Sequence, residues 1–459
     1  MSESQTSLSV VILAAGKGTR MRSDIPKVLQ PLAGKPLLAH VLDLTDDIHA
    51  DDVVVVYGFG GDQVQAAFDS PNLKWALQAE QLGTGHAVQQ AMPQIEDGGR
   101  VLVLCGDVPL LTASTLQRLL RETPTSAVGV LTVEMDDPTG YGRIIRNAAG
   151  TVDRIVEQKD ANDDELLVEE INSGVFVVPA APLRRWLTAL EPKNAQGEYY
   201  LTDIVGLAVD DGIDVHAVVS DDPEETMGIN DRVQLAEAEC AFQNRAAIAL
   251  MNAGARLADP ARVDIRGTVT VGRDVFIDIN AVFIGDVVLG DRVQIGPNCI
   301  VQQSVIEAGT QVLANSLIES SRVGESCNIG PYARLRPGAV LERGAKVGNF
   351  VEVKKSTIGE GSKVNHLTYI GDAQIGKNVN VGAGTITCNY DGANKHLTTI
   401  GDDAFIGSGV ELVAPISVGK GATIGAGTTL SKDAPDGQLT IERARQRTID
   451  GWQRPEKNK

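Results

Sequence analysis

Short apolar runs punctuate the first 220 residues: VVILAAG (10–16), DDVVVVYG (51–58), RVLVLCGD (100–107) and SAVGVLTV (126–133). Each reads as a strand. Between them, around 36–47, 84–92 and 112–122, apolar residues recur at helix-compatible spacing. Strand, helix and strand at this rhythm predict an open, mostly parallel α/β sheet of Rossmann type with helices on both faces. Ligands of such sheets sit at the carboxyl ends of the strands, where the loops gather. Residues 231–252, DRVQLAEAECAFQNRAAIALMN, contain neither Pro nor Gly and suit one long helix, with Asp231 placed to cap its start and Gly254 its end.

From about residue 263 the pattern changes, and aliphatic residues recur at every sixth position. Val271, Ile277, Phe283, Leu289, Ile295 and Val301 form one register. Val323, Ile329, Leu335, Leu341, Val347 and Val353 form a second, and Ile400, Ile406, Leu412, Val418, Ile424 and Leu430 a third. This period fits neither a helix nor a half-buried strand; it is the signature of a parallel β-helix built from hexapeptides. Each aliphatic side chain points inward and stacks on adjacent coils, while small residues turn the corners. Residues 384–399, GTITCNYDGANKHLTT, are polar and off the period, which predicts a loop extruded from the solenoid. The chain therefore divides into an α/β domain over 1–230, a linker helix over 231–253, and a solenoid with a C-terminal tail over 254–459.

Composition narrows the function. A chain of 459 residues suits two or three domains, each with its own core. Its net charge of -19 would repel a polyanion and argues against a general nucleic-acid binder, while leaving room for a local basic pocket that takes a small phosphate. Five cysteines (Cys105, Cys240, Cys299, Cys327 and Cys388) are scattered without a CxxC pair. They read as reduced thiols of a cytoplasmic protein, not as a disulfide framework or a zinc site. No window approaches the roughly eighteen apolar residues of a membrane span, and no basic segment leads into a long apolar one at the N-terminus.

Candidate chemistry begins at LAAGKGTRM (13–21), directly after the first strand. The dinucleotide motif needs a glycine where Met21 stands, and the P-loop needs a longer glycine spacing ending in Gly-Lys-Ser/Thr, so neither template fits. Further along come PKVL (26–29), QAEQLGTGHA (78–87), GDVPL (106–110), PTGYGRI (138–144), INSG (171–174) and GEYYLTD (197–203). The solenoid adds RLRPGA (334–339), NHLTYIGD (365–372) and GAGTITCNYDGANK (382–395). In this order, across two fold types, the set resembles the bifunctional bacterial enzymes that make UDP-N-acetylglucosamine. These join glucosamine-1-phosphate N-acetyltransferase to N-acetylglucosamine-1-phosphate uridyltransferase activity, and the resemblance covers essentially the whole chain. The solenoid it implies is a left-handed parallel β-helix.

For the first half, the resemblance implies that Leu13, Ala14, Ala15 and Gly16 lie against the nucleotide, and that Arg20 and Lys27 meet the triphosphate. It places Gln78, Gly83 and Thr84 on the uracil, and Gly142, Glu157 and Asn172 around the N-acetylglucosamine portion. Cys105, Gly106 and Asp107 join the nucleotide set, with Cys105 standing where family members often carry Tyr. Asp107 shares Mg²⁺ with Asn230 of GIND (228–231), phosphate oxygens and water completing the octahedron. The chemistry is attack of a sugar 1-phosphate oxygen on the α-phosphorus of UTP with departure of pyrophosphate, achieved by positioning and charge neutralisation.

For the solenoid, the resemblance makes His366 the general base, since glucosamine's 2-amine must lose a proton as it closes on the acetyl-CoA thioester. Arg336 and Lys354 clamp the sugar 1-phosphate, by planar fork and point charge respectively, and Tyr369 and Asn380 touch the sugar. Ala383, Asn389, Tyr390, Lys395, Ser408, Ala426 and Arg443 hold acetyl-CoA, with Glu442 an acid beside the last of them. Also implied are a homotrimer holding CoA between neighbouring solenoids, and supply of precursors for peptidoglycan and other cell-envelope polymers, lipopolysaccharide among them. The substrates are small molecules, with no nucleic acid or membrane partner.

Two other readings compete with this one. A single-activity sugar-1-phosphate nucleotidyltransferase with a scaffolding solenoid predicts neither a base nor a CoA loop in the repeats, yet His366, Tyr369 and NYDGANK are there. A regulatory assembly subunit predicts loss of the basic loop or the metal carboxylate, yet Lys27 and Asp107 are both present.

Overall fold

The computed structural model describes residues 7–68, 70–455 and 457. The chain forms two compact units that divide between Phe242 and Gln243, within the helix Arg232–Asn252. Asp231 caps that helix, its Oδ1 accepting from the amides of Val233 (2.9 Å) and Gln234 (3.0 Å), and Gly254 follows its end with a φ of 108°.

The first unit is built on a sheet whose central strands run, edge to edge, Val215–Val219, Val128–Glu134, Glu170–Pro179, Arg100–Cys105, Leu8–Ala14, Asp52–Tyr57 and Leu73–Leu77. All pairs are parallel except those made by Glu170–Pro179, which runs against both neighbours. The apolar runs feed two cores because successive residues of a strand face opposite ways. Val11, Val54, Val56, Val101 and Val103 pack under the helices Thr84–Ala91, Ala180–Ala189 and Asp203–Asp210. Val10, Ile12, Val55, Leu102 and Leu104 pack on the other face, under Leu37–Asp47 and Ala113–Glu122. The sequence reading located four of these strands and three of these helices; it passed over Leu73–Leu77, Glu170–Pro179 and Val215–Val219.

The second unit is a parallel β-helix. One of its columns of inward residues runs Ile277, Ile295, Val312, Ile329, Val347, Val364, Val381, Ile406 and Ile424, each paired in register with the next and nearly all without solvent exposure. The sixfold registers are interrupted where one side of a coil loses a residue, as between Val301 and Ile306 or Ile318 and Val323. Each coil turns through left-handed residues. One corner is stacked from Asn280, Asn298, Asn315, Tyr332, Phe350, Leu367, Gly384, Gly409 and Gly427, all at φ between 48° and 71°. Asn and Gly tolerate that conformation, whereas Tyr332, Phe350 and Leu367 adopt it at a steric cost.

The polar interruption is narrower than 384–399. Ile386–Cys388 and Thr398–Ile400 remain strands of the solenoid, because Thr387 and Thr398 keep inward, buried positions. The extruded segment is 389–397, closed by a bridge between Tyr390 and Lys395.

Candidate functional site

In the first unit, the ends of Leu8–Ala14 and Arg100–Cys105 open onto a pocket of about 260 Å³. Leu13, Ala14, Ala15, Gly16, Lys27, Gln78, Gly83, Thr84, Cys105 and Asp107 line it, with Val28, Gln81, Ala87 and Glu198, which the motifs did not single out. A Cβ on Gly16 would meet no protein atom within 4 Å, so any need for glycine there comes from a ligand. Gly18 is different. It sits at φ 55°, with the backbone and Cβ of Lys27 where its own side chain would go, so it shapes the loop itself. Gly106 stands behind the pocket, its amide donating to Leu13 O (2.9 Å). Gln78 is buried; its Nε2 donates to Gly83 O (3.0 Å) and lies 3.2 Å from His86 Nδ1, so the amide's carbonyl oxygen is the end left for a ligand donor. Arg20 lies exposed in the turn Thr19–Met21, outside the pocket lining.

Lys27, Asp107 and Asn230 meet at this pocket. The Lys27 ammonium pairs with Asp107 Oδ2 and donates to Asn230 Oδ1 (3.1 Å). The GIND segment is tied to the strand end by Ile229 N donating to Asp107 O (3.0 Å), and Gln234 Oε1 accepts from Asn230 N (2.8 Å). Two oxygen donors thus converge on one positive charge. A carboxylate and a carboxamide aimed at a common cation fit a hard divalent metal whose remaining ligands are phosphate and water. Among the described residues, no group of three or more His, Cys, Asp or Glu could hold a metal by itself. Burial, reinforced by the Asp107 carboxylate, pushes the Cys105 thiol up to about 12.

Gly142, Glu157 and Asn172 come together, outside that pocket's lining. Asn172 N donates to Gly142 O (2.9 Å), and a Cβ on Gly142 would come 3.4 Å from Glu157 Oε1. Burial raises the Glu157 carboxyl above its ordinary value, opposed by the Thr202 hydroxyl that donates to it (3.1 Å). The strand carrying Asn172 breaks register before Phe176, and Gly174, at φ 82°, leaves room for Cys105 Sγ. Arg143, inside PTGYGRI but given no role by it, and Gln158, outside the quoted motifs, complete this region. Gln158 Oε1 accepts from Gly140 N (3.1 Å) and Arg143 Nη2 (2.8 Å), and Arg143 also donates to Tyr141 O, which fixes the PTGYGRI loop from within.

In the second unit, three of the residues assigned to the acetyl donor stack in one column below His366. His366 is followed at the same corner position, coil by coil, by Ala383, Ser408 and Ala426, and the register of the next coil puts Glu442 there, one residue before Arg443. Backbone bonds tie the coils: Gly384 N donates to His366 O (3.2 Å), Gly409 N to Ala383 O (2.7 Å) and Gly427 N to Ser408 O (2.9 Å). Arg443 lies across Gly425 and Gly427. Asn380 lies on the same sheet as His366, paired with Lys363 and followed by Phe405.

A second group gathers past the corner. Lys354 is paired with Gly371, and the Tyr369 phenol covers Gly371 so closely that an added Cβ would fall 2.6 Å from its Cζ. The neighbouring Lys395 ammonium, with Arg336 adding to it, holds Lys354 below its ordinary value. Arg336 is raised by its hydrogen bond to Glu352, whose Oε1 lies 2.8 Å from Nη1. Three cations crowded together, one of them paired with Glu352, suit an anion. Lys395, expected at CoA, thus lies beside Lys354, expected at the sugar 1-phosphate. The 389–397 loop that carries it is braced by Asn389 donating to Asp372 (2.5 Å) and by Asp391, which the backbone amide of Asn394 and the His396 ring hold well below the usual carboxylate range. Tyr390 is exposed, its hydroxyl donating to Gly392 O (2.6 Å).

Comparison with known families agrees with both halves. The MobA-like NTP transferase domain matches residues 10–191, the GMPPB C-terminal domain residues 265–347, and the bacterial transferase hexapeptide repeat residues 397–432. The hexapeptide match places the solenoid in the left-handed class. Curated relatives match over nearly their full length. A bifunctional protein GlmU of Azoarcus sp. is 57% identical over 452 residues, 98% of this chain and 100% of the relative. Those of Herminiimonas arsenicoxydans (56%, covering 98% and 100%) and Marinobacter nauticus (53%, covering 98% and 99%) are similar. Identity at this level, spanning a nucleotidyltransferase half and a hexapeptide half, places the chain in the family of bifunctional GlmU proteins.

Proposed function

We propose that the chain makes UDP-N-acetylglucosamine in two steps, acetylating glucosamine 1-phosphate in the solenoid and then uridylylating the product in the α/β domain. The observation that carries the bifunctional reading is the column of His366, Ala383, Ser408 and Ala426 with the Arg443 side chain laid across Gly425 and Gly427 at its end, since a merely scaffolding solenoid has no use for a base above a track of small side chains with a cation beside it. Residues 1–230 hold the uridyltransferase, 231–253 the linker helix and 254–459 the acetyltransferase.

In the first step, the neutral 2-amine attacks the thioester carbonyl. The new N–C bond forms, the C–S bond breaks, His366 takes the amine proton, and the CoA thiolate leaves and is reprotonated. Arg336 and Lys354 hold the 1-phosphate, and Tyr369 and Asn380 orient the ring. The small side chains of Ala383, Ser408 and Ala426 let pantetheine approach the backbone, while Asn389, Tyr390, Lys395 and Arg443 hold the rest of acetyl-CoA. In the second step, Leu13 to Gly16 lie along the nucleotide, with Cys105 and Gly106 beside it, and Gln78, Gly83 and Thr84 read uracil. Gly142, Glu157 and Asn172 hold the sugar. Arg20 and Lys27 balance charge as pyrophosphate leaves. Asp107 and Asn230 are the ligands for Mg²⁺, which when bound neutralises charge on the phosphates.

The protein works in the cytoplasm as a homotrimer. Free, scattered cysteines fit a reducing compartment, and no helix among the described residues is long and apolar enough to cross a membrane.

Release of free CoA thiol from acetyl-CoA tests the reading. Release should require glucosamine 1-phosphate over glucosamine, vanish in His366→Ala, and persist in a chelator that abolishes pyrophosphate formation from UTP. Release without the 1-phosphate, or none from folded protein, would demote the solenoid to a scaffold.

A further inference from the structure

His366 is held from one side. Its strand, Lys363–His366, pairs with Lys346–Asn349, so that Asn349 occupies the same position one coil earlier. Leu367 N donates to Asn349 O (3.1 Å) and Gly384 N to His366 O (3.2 Å), which pins the backbone of His366 between the coils before and after it. The His366 ring then lies with Nδ1 2.8 Å from Asn349 Oδ1. On the following coil the corresponding residue is Ala383, a single methyl that leaves space beside the ring.

A neutral imidazole carries its proton on one nitrogen, and the hydrogen bond made by that nitrogen selects which one. An amide oxygen only accepts. Facing Nδ1, it holds the proton there and leaves the Nε2 lone pair bare. A histidine held in the wrong tautomer presents an N–H where the amine needs an acceptor, so an orienting partner contributes to rate without touching substrate.

We infer that Asn349 is the positioning residue of the acetyl-transfer site, accepting a hydrogen bond from Nδ1–H of His366 so that Nε2 takes the proton of the attacking amine. The inference rests on His366 being the base. During the step the proton moves from the amine to Nε2, Nδ1–H stays on the ring, and the imidazolium, bonded to Asn349 through Nδ1–H, returns the Nε2 proton to the departing thiolate. Motif reading did not reach Asn349, because it lies outside the quoted segments and its partner is one coil away.

The test uses the full-length protein. Asn349→Leu removes the acceptor at similar size and should lower kcat for CoA release by about 10- to 100-fold, with KM for glucosamine 1-phosphate changed by no more than about twofold. Asn349→Asp, whose carboxylate keeps an acceptor at the same place, should hold kcat to within about threefold of the parent, where Asn349→Leu does not. Nitrogen-15 NMR of histidine-labelled protein, with His366 assigned by its loss in His366→Gln, should find the proton on Nδ1 in the parent and shifted toward Nε2 in Asn349→Leu. A parent spectrum with the proton on Nε2, an Asp variant as slow as the Leu variant, or a Leu variant with unchanged kcat and tautomer would each overturn the inference. The parent spectrum needs no variant to fold. Activity surviving in His366→Ala would instead sink the underlying assignment of the base.

Discussion

At the scale of single residues, burial sets the chemistry of the thiols. Cys105 is pushed up to about 12 and Cys327 and Cys388 to about 11, in each case by burial first, with Asp107 or Glu411 reinforcing the effect at Cys105 and Cys388. The folded state therefore favours the protonated thiol. Its contribution to stability is complete below the ordinary thiol range near 8.5 and is lost as pH climbs toward 11 to 12. Alkylation at pH 8 should modify exposed Cys240 first and leave Cys105, Cys327 and Cys388 unmodified in native protein, as peptide mass analysis would read out; rapid labelling of Cys105 at pH 8 would contradict this. Motifs located the chemically distinctive side chains, such as Asp107 and His366, because their neighbours in sequence are distinctive. Asn349, Arg143 and Gln158 escaped because each acts through a partner that lies close only after folding.

At the scale of elements, the solenoid is a sum of repeated corners, and its local costs can be located one coil at a time. One corner stacks Asp274, Arg292, Gly309, Ser326, Gly344, Gly361 and Asn378 in the left-handed conformation. Arg292, at φ 57° and exposed, suits that backbone least among the first of these coils. Arg292→Asn should stabilise the solenoid by about 1 kcal/mol, measured as a shift of its denaturant midpoint. No gain would mean that stacking by the arginine stem offsets the strain. The hexapeptide period was readable because nearly every side of a coil turns an aliphatic residue inward. The shorter sides were not, since losing one residue at a corner changes the spacing without changing the composition. In the sheet of the first unit, the reversed strand Glu170–Pro179 was equally hidden, because a buried strand carries the same apolar run whichever way it points.

At the scale of the whole molecule, each unit keeps its own core and its own candidate site: the sheet-edge pocket lies within the first, the His366 column within the second. Loss of function should be separable. His366→Ala should abolish CoA release while sparing uridylyl transfer to supplied N-acetylglucosamine 1-phosphate, and Asp107→Ala should do the reverse by at least about 100-fold each. An equal mixture of the two variants should form UDP-N-acetylglucosamine from glucosamine 1-phosphate, because the acetylated intermediate diffuses between molecules. A variant that lost both activities while folded would contradict separate sites.

Sequence by itself determined the two fold classes and pointed to the candidate residues for charge and proton chemistry, because periodicity reports what is buried and motif spacing reports what is local. Tertiary structure decided three things that spacing does not encode. It brought Lys27 to Asp107 and Asn230 across the first unit, stacked His366 against Asn349 and above Ala383, Ser408 and Ala426, and drew Lys395 to Lys354. Each of these joins residues that are distant in sequence, and their distance is set by strand register and coil geometry.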